Sequence, residues 1–139
     1  MREYVSDITV EWAHCDAAAI VFFPNFYVWF DQGTERLFTA NGLSYAELER
    51  DFGIHGMPLL ENGTTFRNAC RLGAKLKLTS RLEEWDGKTF RICHRIVHED
   101  GSEALEGFER RIFVVMAPES ARGMKAIEVP EALKARFGD

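Results

Sequence analysis

The sequence predicts an α+β protein in which an antiparallel sheet wraps around one long, buried helix. After Pro24, apolar residues recur at helical spacing over a wide arc, which is typical of a helix buried on most sides. Beyond residue 75 the hydrophobic period changes from 3.6 to 2, which indicates strands. The chain has 139 residues, 46% hydrophobic and 28% charged, so we expect a single domain over residues 1–139.

The limits of the long helix follow from its flanking residues. Proline is favoured in the first helical turn, where its missing N–H is not needed, so Pro24 predicts the start. We expect the end at Asn41 and Gly42, because glycine commonly follows the last turn. Gly33, in the middle, suggests that another backbone packs close to the helix there.

Two shorter helices are expected. Ser44 and Glu47 have the Ser-x-x-Glu spacing of a capping box, which predicts a helix that Gly53 ends. The segment Pro130–Phe137 predicts a helical tail at the carboxyl terminus.

The strands are predicted from alternation. Near the amino terminus Ile8, Val10 and Trp12 alternate with other residues and predict a strand that ends near His14. A meander of three antiparallel strands follows the helices, since two Asp-Gly pairs mark tight turns between alternating runs. The turns are Asp86-Gly87 and Asp100-Gly101, and the strands begin at Lys75, Lys88 and Ser102.

Composition excludes several functional classes. The net charge of −5 argues against a protein that binds nucleic acid through a broad basic surface. No apolar run approaches the roughly 20 residues of a membrane span, and no signal-peptide pattern opens the chain. The three cysteines lack CxxC spacing, so we expect reduced thiols, no zinc site and a cytoplasmic location. His94 and His98 share an apolar strand face and are interpreted as core or interface residues.

The chemically informative stretch precedes the long helix. Asp16 lies a few residues before the helix start, where unpaired backbone N–H groups and a partial positive charge can stabilise an oxyanion. We choose Phe23 N–H as the donor. Asp16 would attack an acyl carbon or activate the attacking water, which is sufficient for thioester hydrolysis. The alternative is that Asp16 only caps a turn after a strand.

These residues carry a resemblance to a known family. The stretch from His14-Cys15-Asp16 through Ile20–Tyr27 resembles the active-site signature of the 4-hydroxybenzoyl-CoA thioesterase family of hotdog-fold enzymes. Further similar segments are Gly56–Leu59, Glu84-Trp85, Lys88–Phe90 and Lys125–Pro130. The resemblance implies a five-stranded antiparallel sheet around a long central helix. It also implies homodimers, which assemble into homotetramers, and an acyl-CoA substrate.

The resemblance assigns roles to individual positions. Asp16 matches the catalytic aspartate, and Phe23 matches the residue whose N–H binds the thioester oxygen. Lys88 matches a basic residue that contacts coenzyme A, and Asp31 matches an acidic residue near the aromatic ring. Met57-Pro58-Leu59 matches a segment that lines the substrate site across the subunit interface.

The chain departs from the family pattern at three places. One is Phe23, where a tyrosine is common, and a role of its backbone N–H survives this change whereas a hydroxyl role would not. The usual Asp-Pro-x-Gly is here Asp16-Ala17-Ala18-Ala19, so a positive φ at position 19 would strain the backbone. Asp86-Gly87 replaces basic residues that precede the lysine in some relatives. Arg91 is therefore a candidate phosphate ligand, with Arg95 or the cationic face Lys75, Lys77 and Arg81 as further candidates.

The favoured function is hydrolysis of an acyl-CoA, with an aromatic acyl group preferred on the resemblance and no cofactor or metal expected. One alternative is a non-catalytic module that binds acyl-CoA or acyl-carrier protein. Another is a hotdog hydratase, for which His14 and His55 are the only histidines outside the predicted strands.

Overall fold

A computed structural model describes residues 1–138. The strands are β1 Glu3–Thr9, β2 Leu59–Phe66, β3 Lys75–Asp86, β4 Thr89–His98, β5 Glu103–Met116 and β6 Met124–Ile127. The helices are α1 Pro24–Ala40, α2 Tyr45–Phe52 and α3 Glu131–Ala135. In these residues no helix is both long enough and apolar enough to cross a bilayer.

The strands form one antiparallel sheet, and α1 lies across its inner face. The five main strands run in the order β1-β3-β4-β5-β2, and the short β6 pairs with the far end of β5. The predicted α+β class and the meander are therefore confirmed. Residues 76, 78, 80 and 82 of β3 are buried, and the residues between them are exposed or half-buried, as the period of 2 predicts.

The core consists of two apolar clusters arranged along α1. Phe26, Trp29 and Phe30 in its first half pack with residues of β1, β3 and β5. Leu37 and Phe38 in its second half pack with the other end of the sheet and with α2 and α3. Because both halves are covered, α1 is fixed along its whole length, as its wide apolar arc predicts.

The helix limits agree with the sequence. α1 begins at Pro24, and α2 follows a complete capping box in which Ser44 Oγ accepts a hydrogen bond from Glu47 N–H at 3.2 Å. Gly53 ends α2 in the left-handed region, with φ 66°.

The amino-terminal strand is shorter than predicted. It ends at Thr9, and Trp12–His14 form a short 3-10 turn instead of its last residues. Glu11 and His14 form a reciprocal capping pair that favours this turn, with Glu11 N–H donating to His14 Nδ1 at 2.9 Å. Trp12, predicted to share a strand face with Ile8 and Val10, is 67% exposed as a result, whereas those two residues are buried.

The strand β2 has no counterpart in the sequence prediction. It is an edge strand whose residues are exposed or half-buried, so its sequence lacks the alternation of apolar and polar residues that a sheet face imposes. β2 leaves one long edge of the sheet without a partner strand within the described residues.

Gly33 is required by a close approach between α1 and β3. A Cβ atom at this position would lie 2.2 Å from Ser80 Oγ and 3.0 Å from Leu78 Cδ2. The close neighbour is thus a side chain of the strand and not a backbone. Ser80 Oγ cannot move without losing its 2.9 Å hydrogen bond to His94 Nδ1.

We expect Gly33→Ala to lower the free energy of unfolding, because the overlap with Ser80 outweighs the better helix propensity of alanine. Overpacking of this kind costs roughly 1–3 kcal/mol, and urea denaturation measures it. Gly56→Ala is the matched control, since its Cβ would meet no atom within 4 Å. The double variant Gly33→Ala, Ser80→Ala should recover part of the loss. Equal stability of Gly33→Ala and wild type would contradict the assignment.

Candidate active site

Asp16 lies in a tight loop just before α1. The loop closes through a bridge between Cys15 and Val21 and a hydrogen bond from Asp16 N–H to Ile20 O at 3.0 Å. Asp16 Oδ1 accepts a hydrogen bond from Ala18 N–H at 2.9 Å. One carboxylate oxygen is thereby fixed, and Oδ2 of this exposed side chain remains available to a substrate or a water molecule.

The first turn of α1 offers a backbone donor beside this loop. Phe22 N–H and Asn25 Nδ2 both donate to His14 O, at 2.9 and 2.8 Å, and so tie the loop to the helix. Pro24 has no N–H, and Phe23 N–H donates to no acceptor within residues 1–138. A free N–H at the positive end of a helix is suited to hold an oxyanion.

Ala19 has a left-handed backbone, with φ 59°. This is the conformation for which the sequence predicts strain, since alanine carries a Cβ that the left-handed region disfavours. Two hydrogen bonds hold it there. Ala19 N–H donates to Asp16 O, and Leu72 N–H donates to Ala19 O, each at 3.0 Å. The loop that presents Asp16 is therefore maintained at some cost in stability.

An apolar cleft of about 300 Å³ opens beside Phe23. Phe26 and Phe66 form its aromatic walls, with their ring centroids 5.7 Å apart. Cys70 also lines the cleft, but burial raises the pKa of its thiol to about 11, so the thiol is protonated at neutral pH and is a poor nucleophile. Asp16, whose N–H donates to the carbonyl of the cleft residue Ile20, is thus the better candidate for the chemistry.

A buried polar network lies under the middle of α1, between the two apolar clusters. Glu109 Oε1 accepts hydrogen bonds from Thr34 Oγ1 and, at 2.7 Å, from His94 Nε2. Glu109 Oε2 accepts from Arg111 Nη2 at 2.6 Å. Burial alone would raise the pKa of Glu109, but His94, Arg111 and Thr34 outweigh it and lower the pKa to about 2. Glu109 is therefore a carboxylate throughout the neutral range.

The network extends to two predicted substrate-site residues. Arg111 Nη2 donates to Asp31 Oδ1 and Arg111 Nη1 donates to Met57 O, at 2.7 and 2.8 Å. The Met57 side chain is buried in the core, whereas Pro58 and Leu59 are exposed at the start of β2. The structure thus brings Asp31 together with the segment Met57-Pro58-Leu59.

Sequence reasoning missed Glu109 and Arg111. Their positions in the alternation of β5 would have revealed them, because both lie on the same face of the strand as the buried Leu105 and Phe113. Charged residues on the buried face of a strand require partners, and His94 on β4, which is opposite Gly107 and diagonal to Glu109, supplies one.

The candidate coenzyme A ligands lie apart from Asp16. Lys88 is exposed in the turn between β3 and β4 and makes no ion pair within residues 1–138. Arg91 lies on the outer face of the sheet, where it pairs with Glu83 and lies 3.9 Å from the centre of the Phe108 ring. Its charge is thus already partly neutralised.

The two histidines that a hydratase would use are engaged elsewhere. His14 Nδ1 accepts the hydrogen bond from Glu11 N–H, so in the neutral ring the proton is on Nε2. His55 is an exposed residue 3.5 Å from Glu49. Neither is paired with an acidic side chain at the cleft.

A helix laid across an antiparallel sheet, with an aspartate loop at the helix start, defines the hotdog class of α+β proteins. Residues 10–137 match the profile of the Thioesterase-like superfamily. The chain belongs to this superfamily, and it is a thioester hydrolase. This confirms the resemblance and the hotdog fold.

Individual relatives support the assignment. The 4-hydroxybenzoyl-CoA thioesterase of Pseudomonas sp. (strain CBS-3) is 28% identical over an alignment of 126 residues that covers 87% of this chain and 87% of the relative. A solved structure of 4-hydroxybenzoyl CoA thioesterase from that strain has a TM-score of 0.87 at 25% identity, covering 98% of this chain and 99% of the other. A gentisyl-coenzyme A thioesterase has a TM-score of 0.79 at 25% identity, covering 98% and 100%.

We expect Ala19→Gly to raise the free energy of unfolding by about 1 kcal/mol, because glycine has no Cβ to be strained at positive φ. Chemical denaturation provides the measurement. Ala18→Gly is the matched control in the same loop, where φ is not positive, and should be neutral or destabilising because glycine makes the unfolded chain more flexible. A stability order in which Ala18→Gly exceeds Ala19→Gly would contradict the strain.

Proposed function

We propose that this protein hydrolyses an aromatic acyl-CoA to the carboxylic acid and CoA without a cofactor or metal. One observation carries the proposal. The loop before α1 presents Asp16 with one free carboxylate oxygen, and the start of α1 presents the Phe23 N–H without an acceptor. The first supplies a nucleophile or base, and the second supplies the oxyanion donor that acyl transfer needs.

The reaction can follow two routes from this geometry. In one, Asp16 Oδ2 attacks the acyl carbon, the C–S bond breaks, and water then cleaves the mixed anhydride. In the other, Oδ2 takes a proton from water, whose oxygen attacks the acyl carbon as the CoA thiolate departs. In both routes Phe23 N–H binds the acyl oxygen when it becomes negative, and the thiolate finally receives a proton.

The aromatic preference is supported by the cleft and by the relatives. Phe23, Phe26 and Phe66 offer flat apolar walls next to the oxyanion donor, and a cleft of about 300 Å³ is at the small end for a ligand site. The relatives named above act on 4-hydroxybenzoyl-CoA and gentisyl-coenzyme A.

All three cysteines are free thiols, which is consistent with a reducing compartment such as the cytoplasm.

The site is completed by a second copy of the chain in this proposal. β2 is an open edge, and Phe66 at its end contacts Phe26 of α1. If β2 pairs antiparallel with β2 of a second copy over its full length, the partner subunit's Leu59 lies opposite Phe66. The segment Met57-Pro58-Leu59 then reaches the cleft from the partner. Two such dimers would form the tetramer, and Lys88 and Arg91 would contact CoA phosphates.

The catalytic role of Asp16 is tested with Asp16→Asn, which keeps the side-chain size and removes the charge. We expect kcat to fall by about 10² to 10⁴, as for loss of a positioned base, with little change in thioester binding. Release of the CoA thiol is followed with a chromogenic disulfide, using benzoyl-, hydroxybenzoyl-, phenylacetyl- and straight-chain acyl-CoAs.

The control for this test is Asp7→Asn, which removes an exposed carboxylate that pairs with Lys77 on the outside of the sheet. Its turnover should match wild type. Near-normal turnover by Asp16→Asn would refute the catalytic role. Saturable binding of every thioester without turnover by wild type would favour the non-catalytic binding module instead.

The dimer is tested with Asn62→Pro. Arg67 N–H donates to Ala104 O, and this register makes the N–H groups of residues 61, 63 and 65 point to β5 and that of Asn62 point away. A proline there removes a donor from the open edge only. We expect a folded monomer by light scattering, whereas Asn62→Ala keeps the oligomer of wild type. A dimer of unchanged affinity in Asn62→Pro would exclude pairing through β2.

A further inference from the structure

Arg111 is held in a geometry that reaches from the core to the surface. Its side chain is 8% exposed, and its guanidinium contacts the buried Glu109, the backbone carbonyl of Met57 and the carboxylate of Asp31, whose side chain is 58% exposed. Arg111 Nε is buried and has no hydrogen-bond partner within residues 1–138. Asp31 uses only Oδ1 in the pair, so Oδ2 is free.

Stability alone gives no reason for this arrangement. Buried ion pairs lose much of their attraction to desolvation, and well-packed apolar residues often replace them without loss. Here the charges separate two apolar clusters that would otherwise be continuous, and one guanidinium N–H remains unsatisfied. Buried charges that reach a surface in this way are candidates for a functional site.

In the proposed dimer, Asp31 and Arg111 of one subunit lie at the acyl cleft of the other. The inference therefore rests on the proposed function. Leu59 is in register with Arg111 at one end of the sheet, and Phe66 is in register with Leu105 at the other. Seven residues of strand separate the two ends by roughly 23 Å, so Asp31 is remote from Asp16 in its own chain. Antiparallel pairing of the β2 edges brings the partner subunit's Asp31 and the partner subunit's Arg111 to the end where Phe23 and Phe26 lie.

We propose that Arg111 is a specificity-determining positioning residue, which fixes Asp31 so that the site prefers an aromatic acyl group bearing a hydroxyl. The guanidinium holds Asp31 Oδ1, and Oδ2 then accepts a hydrogen bond from the ring hydroxyl. An unsubstituted ring leaves that carboxylate partly desolvated without a donor. Arg111 also donates to the Met57 carbonyl. It therefore fixes the position of the Asp31 carboxylate relative to the segment Met57-Pro58-Leu59, which enters the cleft.

The test is the ratio of kcat/KM for 4-hydroxybenzoyl-CoA to kcat/KM for benzoyl-CoA. Wild type should favour the hydroxylated substrate by about tenfold to a hundredfold, the range for a hydrogen bond to a charged group. In Arg111→Gln the ratio should fall at least tenfold, because kcat/KM for 4-hydroxybenzoyl-CoA falls far more than kcat/KM for benzoyl-CoA. Arg111→Lys, which keeps the charge but not the fork geometry, should give an intermediate ratio.

The matched control is Arg110→Gln, which alters the neighbouring residue of β5, an arginine paired with exposed carboxylates. Its ratio should equal that of wild type. A merely structural role of Arg111 would lower kcat/KM for both substrates equally and leave the ratio unchanged, and that result would overturn the proposal.

A second variant and a binding measurement cover the cases in which Arg111→Gln does not fold or wild type has no activity. If Arg111→Gln does not fold, Asp31→Asn alters only the exposed end of the pair, and it should reduce the ratio as much. An unchanged ratio in Asp31→Asn would then overturn the proposal. If wild type hydrolyses neither thioester, the proposed function fails, and the ratio of dissociation constants for the two thioesters replaces the kinetic ratio. Equal dissociation constants in wild type would overturn the inference as well.

Discussion

The buried carboxylate of Glu109 is the constraint on which the middle of the molecule depends. A carboxylate with so little solvent is tolerable only when both of its oxygens accept hydrogen bonds, and His94, Thr34 and Arg111 supply the donors. These partners come from β4, α1 and β5, so satisfying one charge aligns three elements. Gly33 belongs to the same constraint, because α1 must come close enough for Thr34 to reach Glu109, and that approach leaves no room for a Cβ.

The catalytic and the substrate-recognition candidates lie at opposite ends of one sheet. The aspartate loop and the oxyanion donor are near the carboxyl end of β2, whereas Arg111 and Asp31 are near its amino end. One chain therefore cannot bring them to a single substrate, since α1 and the strands between them are rigidly packed. In the dimer we propose, a twofold axis through the β2 edge would solve this problem with no new residues, because it exchanges the two ends.

The sequence allowed the parts of the fold with local signals to be predicted. Pro24 and the Ser44 capping box mark helix starts through backbone chemistry alone, and alternation marks β3 and β4 because one face of each is apolar. The position of Asp16 in a loop before α1 and the free N–H of Phe23 were also predictable, since a helix start leaves backbone donors unpaired. The edge strand β2 was not, because its residues face solvent on both sides of the sheet. The Arg111 network was missed because its members are distant in sequence, and only the sheet register brings them together.

The closed hydrogen bonding around Glu109 has an evolutionary consequence. Loss of Arg111 or His94 alone would remove one of the three donors to a buried carboxylate, a change that commonly costs about 3–5 kcal/mol. Most single substitutions in this group should therefore be removed by selection, even in a lineage whose substrate has changed. Related chains should keep the group intact or have replaced several of its members together. Chains with the buried polar network and chains without it would then form separate lineages of the superfamily, which differ by several substitutions at once.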